Sequence, residues 1–536
     1  MRMKISFFGA DQCVTGSCHC VEANGKKLLI DCGLQQGRDE VSNGEFPFDA
    51  GSIDCVLITH AHIDHSGRVP MLLRQGFNGK IITTRLTAAL LKVMLQDSAH
   101  IQEQEAEWQT RKAKRSGKGA VEPLYTVADA LATVDRITTC EYRQTVELYP
   151  GITAEFVDAG HLLGSACIIL TVTEGAETRK IVFSGDLGNI KQPIIRDPSY
   201  ISGADYVVME STYGDRNHGE GWSYTDDLAE IIDDTISKGG NVIIPSFAVG
   251  RTQELLYFIR EIKDLGLVKS NPDFPVYIDS PLAREATEIF TGDLRGYLDE
   301  DALELVADGT HMFNFSNLRM TASAEDSKAL NADKTPKVII SASGMCDAGR
   351  IRHHLKHNLW RPECTVVFVG FQGEGTLGRY LLEGAKSVKL FGEEIAVKAR
   401  LVNYNGLSSH ADRDHLIEWV KEFTEQKPRH IFVVHGDREV APYFAKTLTD
   451  MGYSAHAPQY TEEYDLISCR QLKVGYLPER RQRTFEGAPR ASSAYQRLVA
   501  VGQLMTEFIR RSKGRDNKTL AKFADQLKAL LDKWEA

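Results

Sequence analysis

Three histidines and one aspartate fall within six residues, His60-Ala61-His62-Ile63-Asp64-His65, directly after the apolar run Cys55-Val56-Leu57-Ile58-Thr59. Imidazole nitrogens and carboxylate oxygens suit zinc and related divalent ions, and few other local needs gather these groups. Partners for such a cluster recur downstream. Asp31 ends the strand-like Leu28-Leu29-Ile30, and His161 sits in Ala159-Gly160-His161-Leu162-Leu163-Gly164-Ser165. Asp186 follows Ile181-Val182-Phe183-Ser184-Gly185, and His435 follows Ile431-Phe432-Val433-Val434. Each comes just after an apolar run and beside glycine, as expected when strands deliver ligands to one sheet edge on loops held by a rigid core.

Length and charge bound the rest. At 536 residues the chain predicts two or more domains with ample core. The net charge of −10 argues against a nucleic-acid coat protein but not against an enzyme with a local basic groove. Met1-Arg2-Met3-Lys4 leads straight into Ile5-Ser6-Phe7-Phe8, a first strand, so no export leader is expected. No apolar run approaches a membrane span. Ten cysteines scattered along a chain of intracellular character predict reduced thiols and a cytoplasmic location. Cys18-His19-Cys20 lacks a second pair at structural-zinc spacing and reads as strand-borne core.

Residues 1–96 alternate strand-like runs with glycine-rich turns, then a helix over Thr87–Leu95. A charged stretch, Gln96–Val121, reads as a helix plus a surface loop, with Arg111-Lys112-Ala113-Lys114-Arg115 as a solvated basic face. From about 212 to 400 strands alternate with helices: Asn241–Ile244 precedes Thr252–Arg260, Val276–Ile278 precedes Ala283–Phe290, Val338–Ser341 precedes Gly349–Lys356, and Thr365–Val369 precedes Thr376–Glu383. This predicts a parallel α/β sheet. Since His435 lies beyond it, the segment is expected to be an insertion. Residues 476–512 are Arg-rich and irregular. Beyond them Leu520, Phe523, Leu527, Leu530, Leu531 and Trp534 mark one face of an amphipathic helix, suited to docking on its own body or on a second copy in a homodimer.

Asp31, His60-x-His62-x-Asp64-His65, His161 and Asp186, in that order, resemble the signatures of the metallo-beta-lactamase superfamily. Glu210 in Val208-Met209-Glu210-Ser211-Thr212-Tyr213-Gly214, His410 in Ser408-Ser409-His410-Ala411-Asp412, and His435 in Val434-His435-Gly436 extend the resemblance to its beta-CASP branch of nucleic-acid-processing nucleases. The closest likeness is to the RNA-cleaving members related to the cleavage-and-polyadenylation endonuclease. The resemblance implies a metallo-beta-lactamase αββα sandwich, residues 1–211 and 400–475, with an inserted parallel-sheet α/β beta-CASP domain, residues 212–399, and a helical extension, residues 476–536. It implies two Zn2+, with Mn2+ as the alternative. His60, His62 and His161 would hold one ion, Asp64, His65 and His435 the other, and Asp186 would bridge them. Asp31 is then expected to orient a ligand histidine or a bound water. His410 is the candidate general acid and Glu210 its orienter. The substrate implied is RNA, single-stranded by expectation.

In the inserted segment Ser246-Phe247-Ala248-Val249-Gly250-Arg251 and Ser341-Ala342-Ser343-Gly344-Met345-Cys346-Asp347-Ala348-Gly349-Arg350 each join a strand to a helix. Backbone N–H groups there are natural phosphate sites, with Arg251 and Arg350 as charge partners and Arg379 in support. The alternative is an ordinary strand-to-helix turn. Gly373-Glu374-Gly375-Thr376-Leu377-Gly378 matches a dinucleotide fingerprint, but a nicotinamide cofactor fits poorly beside a complete hydrolase ligand set. The loop is instead expected to let the backbone approach RNA or the facing domain. Three competing functions follow: hydrolysis of thioesters or lactones, which needs neither Glu210, His410 nor the insertion; DNA cleavage, disfavoured by His435; and a non-catalytic scaffold, disfavoured by the intact ligands. Endonuclease and 5′-exonuclease modes both remain open.

Overall fold

The computed structural model describes residues 3–36, 43–117, 119–219, 224–308, 311–321, 323–373, 375–404 and 408–479, with 505, 509, 512 and 517–535 near the C terminus. Met1–Arg483 forms one compact unit and Thr484–Ala536 another.

Two sheets lie face to face in the first unit. One runs in the order Arg470–Lys473, Glu463–Asp465, Lys4–Phe7, His19–Ala23, Lys26–Ile30, Cys55–Leu57, Lys80–Thr84, Ile137–Cys140. The other runs Ala455–His456, His430–Val433, Tyr206–Met209, Glu177–Phe183, Ala166–Glu174, Ile152–Asp158, Thr145–Tyr149. Ile5, Phe7, Leu28 and Leu57 of the first pack against Phe156, Ile168, Phe183 and Phe432 of the second. Side-chain alternation along a strand then sends the next residues outward. Tyr206 and Val208 enter the core between the sheets. Val207 and Met209 instead meet Trp419 and Val420 of the helix Arg413–Lys421 and Phe444 of the helix Val440–Asp450. On the far side Leu90, Leu91 and Leu95 of the helix Arg85–Arg115 cover Leu29, Val56 and Ile81. The result is the helix–sheet–sheet–helix sandwich expected.

A third sheet, Leu318–Met320, Val276–Ile278, Val338–Ser341, Val242–Pro245, Thr365–Phe368, Arg400–Asn403, is parallel throughout. Its strands Val242–Pro245, Val338–Ser341 and Thr365–Phe368 are buried along their whole length, which is why they read as unbroken apolar runs. All of it falls between Tyr206–Met209 and His430–Val433, which are neighbours in the second sheet and pair Val208 with Phe432. The chain therefore leaves the sandwich and returns beside the strand it left.

The helix expected over Thr87–Leu95 runs on without a break to Arg115. Lys112, Lys114 and Arg115 occupy its last turn, where cations complement the helix dipole, and they are exposed. Cys18 and Cys20 are buried, and none of the ten cysteines is in a disulfide. The stretch 476–512 lies mostly outside the described residues. In the second unit Leu520, Phe523 and Leu527 share the helix Asn517–Glu535 and are half-buried. No helix among the described residues is long and apolar enough to cross a membrane.

Candidate metal centre and catalytic site

The strand Cys55–Leu57 ends three residues before His60, and the one-turn helix Ile63–Ser66 brings Asp64 and His65 back toward it. Gly33 permits that return. A Cβ on Gly33 would stand 1.6 Å from the Asp64 carbonyl oxygen, so only a residue without a side chain lets the two loops touch. Asp31 and His435 hold left-handed backbone, φ 61° and 47°. Non-glycine residues there cost about 1–3 kcal/mol each, a strain that concentrates at functional sites.

Four loops converge at this edge. His60 Nε2 and His161 Nε2 lie 3.1 and 3.2 Å from His62 Nδ1, and both lie 3.6 Å from Asp186 Oδ2. His65 Nε2 is 3.2 Å from Asp186 Oδ1, and His435 Nε2 is 3.5 Å from Asp64 Oδ2. His60, His62, His161 and Asp186 thus offer one set of ligand atoms within 4.8 Å of one another, and Asp64, His65 and His435 a second.

The opposite ring nitrogens are already engaged. Asp31 accepts from the Thr59 backbone N–H and hydroxyl, each at 2.8 Å, and its Oδ2 lies 2.7 Å from His65 Nδ1. With its proton given to Asp31, the Thr59 hydroxyl oxygen accepts from His60 Nδ1 at 3.1 Å. His161 Nδ1 donates to the Ser409 carbonyl at 3.0 Å, and Thr212 Oγ1 stands 3.1 Å from His435 Nδ1. Each bond occupies Nδ1 and turns Nε2 toward the cluster, the orientation metal-binding imidazoles need; His65, between Asp186 and Asp31, is held above the ordinary imidazole pKa and would yield its Nε2 proton to an ion. His65 Nε2, His435 Nε2 and Asp186 Oδ1 are buried with no hydrogen-bond partner of their own. Unpaired buried polar atoms are costly; three of them aimed into one space fit divalent cations. Burial holds His60, His62 and His161 below the ordinary imidazole pKa, so all three stay neutral, as ligands must.

Beside this cluster His410 Nε2 stands 4.0 Å from Asp186 Oδ2. Its Nδ1 faces both oxygens of Glu210. Glu210 is fully buried and also accepts from the Leu187 N–H at 2.6 Å. The His410 loop is clipped to the loop after Asp186: Ala411 donates to the Leu187 carbonyl at 2.8 Å and Asn189 to the Ser409 carbonyl at 3.2 Å.

The residues expected in the inserted segment stand differently. Arg251 is buried and ion-paired with Glu254, one helical turn on. Arg350 pairs at 2.7 Å with the buried Asp279, and Arg379 at 2.7 Å with Glu383. Each guanidinium expected as a charge partner for phosphate therefore already faces a carboxylate. Ser246 is buried, its hydroxyl donating to the Phe247 carbonyl at 3.1 Å, and the Ser343 hydroxyl donates to the Ala348 carbonyl at 3.3 Å. Gly344 packs on the ring of Phe247.

Sequence reading missed several supporting groups. Thr59 and Thr212 adjoin residues it did single out, and threonine next to a ligand histidine or a buried acid was the available signal. His218 gave none. Its Nε2 donates to the His410 carbonyl at 2.9 Å, and its ring meets Tyr213 edge-on at 4.6 Å.

Comparison with known proteins follows this geometry. The Metallo-beta-lactamase superfamily profile matches residues 12–232, the Beta-Casp domain residues 252–381, and the Zn-dependent metallo-hydrolase RNA specificity domain residues 394–458. Ribonuclease TTHA0252 of Thermus thermophilus is 36% identical over 461 residues, covering 86% of this chain and 99% of that protein. The chain belongs to the beta-CASP branch of the metallo-beta-lactamase superfamily. This beta-CASP protein is also 30% identical to the RNase J-like protein of Methanocaldococcus jannaschii, covering 83% of the chain and 95% of that protein. It is 29% identical to the transcription termination factor FttA of the same organism, over 83% of the chain and 69% of that protein. The stretch named for RNA specificity holds both His410 and His435.

Proposed function

We propose that the protein is a metal-dependent ribonuclease that hydrolyses phosphodiester bonds of single-stranded RNA. The observation that carries this is the His410–Glu210 pair standing 4.0 Å from Asp186. A hydrolase of thioesters or lactones has no need of a second, carboxylate-held imidazole beside the ligand cluster. The names of the relatives, ribonuclease and RNase J-like, support RNA over DNA.

Two zinc ions are the reading for the cluster, one held by His60, His62 and His161, the other by Asp64, His65 and His435, with Asp186 reaching both. Bound there, such cations acidify water and neutralise the phosphate oxygens. The protein's own groups do the rest. Asp31 and Thr59 fix the rings of His65 and His60. His410 carries a proton on Nε2 toward the cluster, where the leaving ribose oxygen needs it. Burial opposes the imidazolium, but the Glu210 and Asp186 carboxylates overcome it and raise the His410 pKa to about 9. The buried Glu210 carboxylate thus favours the charged acid at neutral pH. Cytoplasmic work is the accompanying reading, and fractionation checks it. A homodimer built through the helix Asn517–Glu535 is a further reading, checked by light scattering.

The test is cleavage of linear and circular single-stranded RNA by metal-loaded protein. Products with 5′-phosphate and 3′-hydroxyl ends are expected. Cut circles would establish an endonuclease, and cutting of linear RNA alone a 5′-exonuclease. Intact RNA together with hydrolysed thioester would overturn the proposal.

A further inference from the structure

Arg251, Arg350 and Arg379, on or just beyond the inserted sheet's loops, are ion-paired with Glu254, Asp279 and Glu383, and those loops hold two aromatic rings out to solvent. Phe247 follows the strand Val242–Pro245 and is 45% exposed; Phe371 follows Thr365–Phe368 and is also 45% exposed. Their strands are neighbours in the sheet, with Val338–Ser341 on the other side of Val242–Pro245. All three loops therefore leave the carboxyl edge of one parallel sheet, where such sheets bind ligands.

The surface between the rings is cleared by glycine. A Cβ on Gly344 would lie 3.0 Å from the Phe247 ring, one on Gly370 3.9 Å from it, and one on Gly373 4.0 Å from the Phe371 ring. The loops are also held in place. Buried Gln372 donates from Nε2 to the Gly344 carbonyl at 2.9 Å and to the Gly370 carbonyl at 3.1 Å. The Phe247 loop reaches the sandwich beside one ligand, since a Cβ on Gly250 would meet Leu162, the neighbour of His161, at 3.0 Å. An exposed ring on a stapled loop, with glycines beside it and no free cation among the three arginines of these loops, suits a flat uncharged partner better than a phosphate.

The geometry points to Phe247 and Phe371 as a stacking platform for unpaired nucleobases of the substrate strand, next to the site of cleavage. This rests on the ribonuclease reading. Aromatic rings stack on any base, so the platform grips single strands without reading sequence. It also explains why a duplex, whose bases are already stacked and paired, would be a poor substrate.

The experiment measures KM for a short single-stranded RNA and for the same strand with abasic sites flanking the scissile bond, using the full metal-loaded chain. Phe247→Leu and Phe371→Leu keep apolar bulk and lose the π face; Phe247→Tyr and Phe371→Tyr keep it. Each leucine variant is expected to raise KM roughly tenfold on RNA, with no change on the abasic strand and rescue by tyrosine. The loss should be equal at low and high salt, since no phosphate contact is removed. Thermal melting of each variant reports its folding. Active wild type with leucine variants of unaltered KM, or with abasic and normal strands equally affected, would overturn the platform and leave the ribonuclease reading standing. Wild type that cuts no RNA would overturn both.

Discussion

His410 Nδ1 lies 3.1 Å from each carboxylate oxygen of Glu210, though the two residues are 200 positions apart in the chain. Glu210 follows the strand Tyr206–Met209 of the second sheet, before the inserted segment, and His410 follows that segment. The pair exists only because the chain returns beside the strand it left, and it sets a buried carboxylate against the imidazole, which raises the His410 pKa.

That relationship predicts the pH behaviour. Proton donation by His410 should persist through neutrality and fail as pH rises through its raised pKa, about 9. Glu210→Gln removes the charge that raises it. The alkaline fall in kcat is then expected to move to lower pH, while metal content is unchanged. His410→Ala should cost about 100- to 10,000-fold in kcat with metal retained. Pre-steady-state cleavage across pH, paired with elemental analysis, checks both.

Asp31 touches Thr59 and His65, and on the proposed reading it acts through them. Asp31→Asn weakens the hold on His65 Nδ1, and metal affinity is expected to fall about 10- to 100-fold. Competition with a chromophoric chelator measures this without any activity assay.

Gly33→Ala should be severe, because its Cβ would collide with the Asp64 carbonyl. Displacing that turn moves Asp64 and His65 together. Loss of one metal equivalent and a lower melting temperature are expected; a variant with full metal content would show that the loops can part without harm.

Removal of metal should destabilise the fold, since bound ions stabilise the state that binds them. The described cluster confines five imidazoles and two carboxylates around unpaired buried atoms. Chelated protein is expected to melt several degrees lower, and zinc to restore the transition.

Away from the site, burial and the neighbouring His456 hold the His430 pKa down at about 4. The unfolded chain takes up that proton near pH 6.5, so stability is complete above about 6.5 and falls as pH drops toward 4. Relative to His430→Gln, the wild type should lose about 2 kcal/mol between pH 7 and pH 5. Urea denaturation at the two pH values tests it.

The hexapeptide His60–His65, Asp186 and His435 were legible because each follows an apolar run that could only be a buried strand. The parallel sheet was legible for the same reason. The ion pairs that hold Arg251 and Arg350 were not foreseen. The Arg251–Glu254 pair, one helical turn apart, could have been read from spacing. Arg350 with Asp279 could not, since 71 positions separate them.

The succession of strands along the chain and the ligand types were thus written in local pattern, because hydrophobic periodicity and donor chemistry are properties of short segments. Which ring nitrogen each histidine presents, which arginines are already paired, and which phenylalanines stay in solvent were decided by tertiary structure alone. Those depend on groups such as the Ser409 carbonyl, the Thr212 hydroxyl and Asp279, whose positions are set only when distant strands and loops pack together.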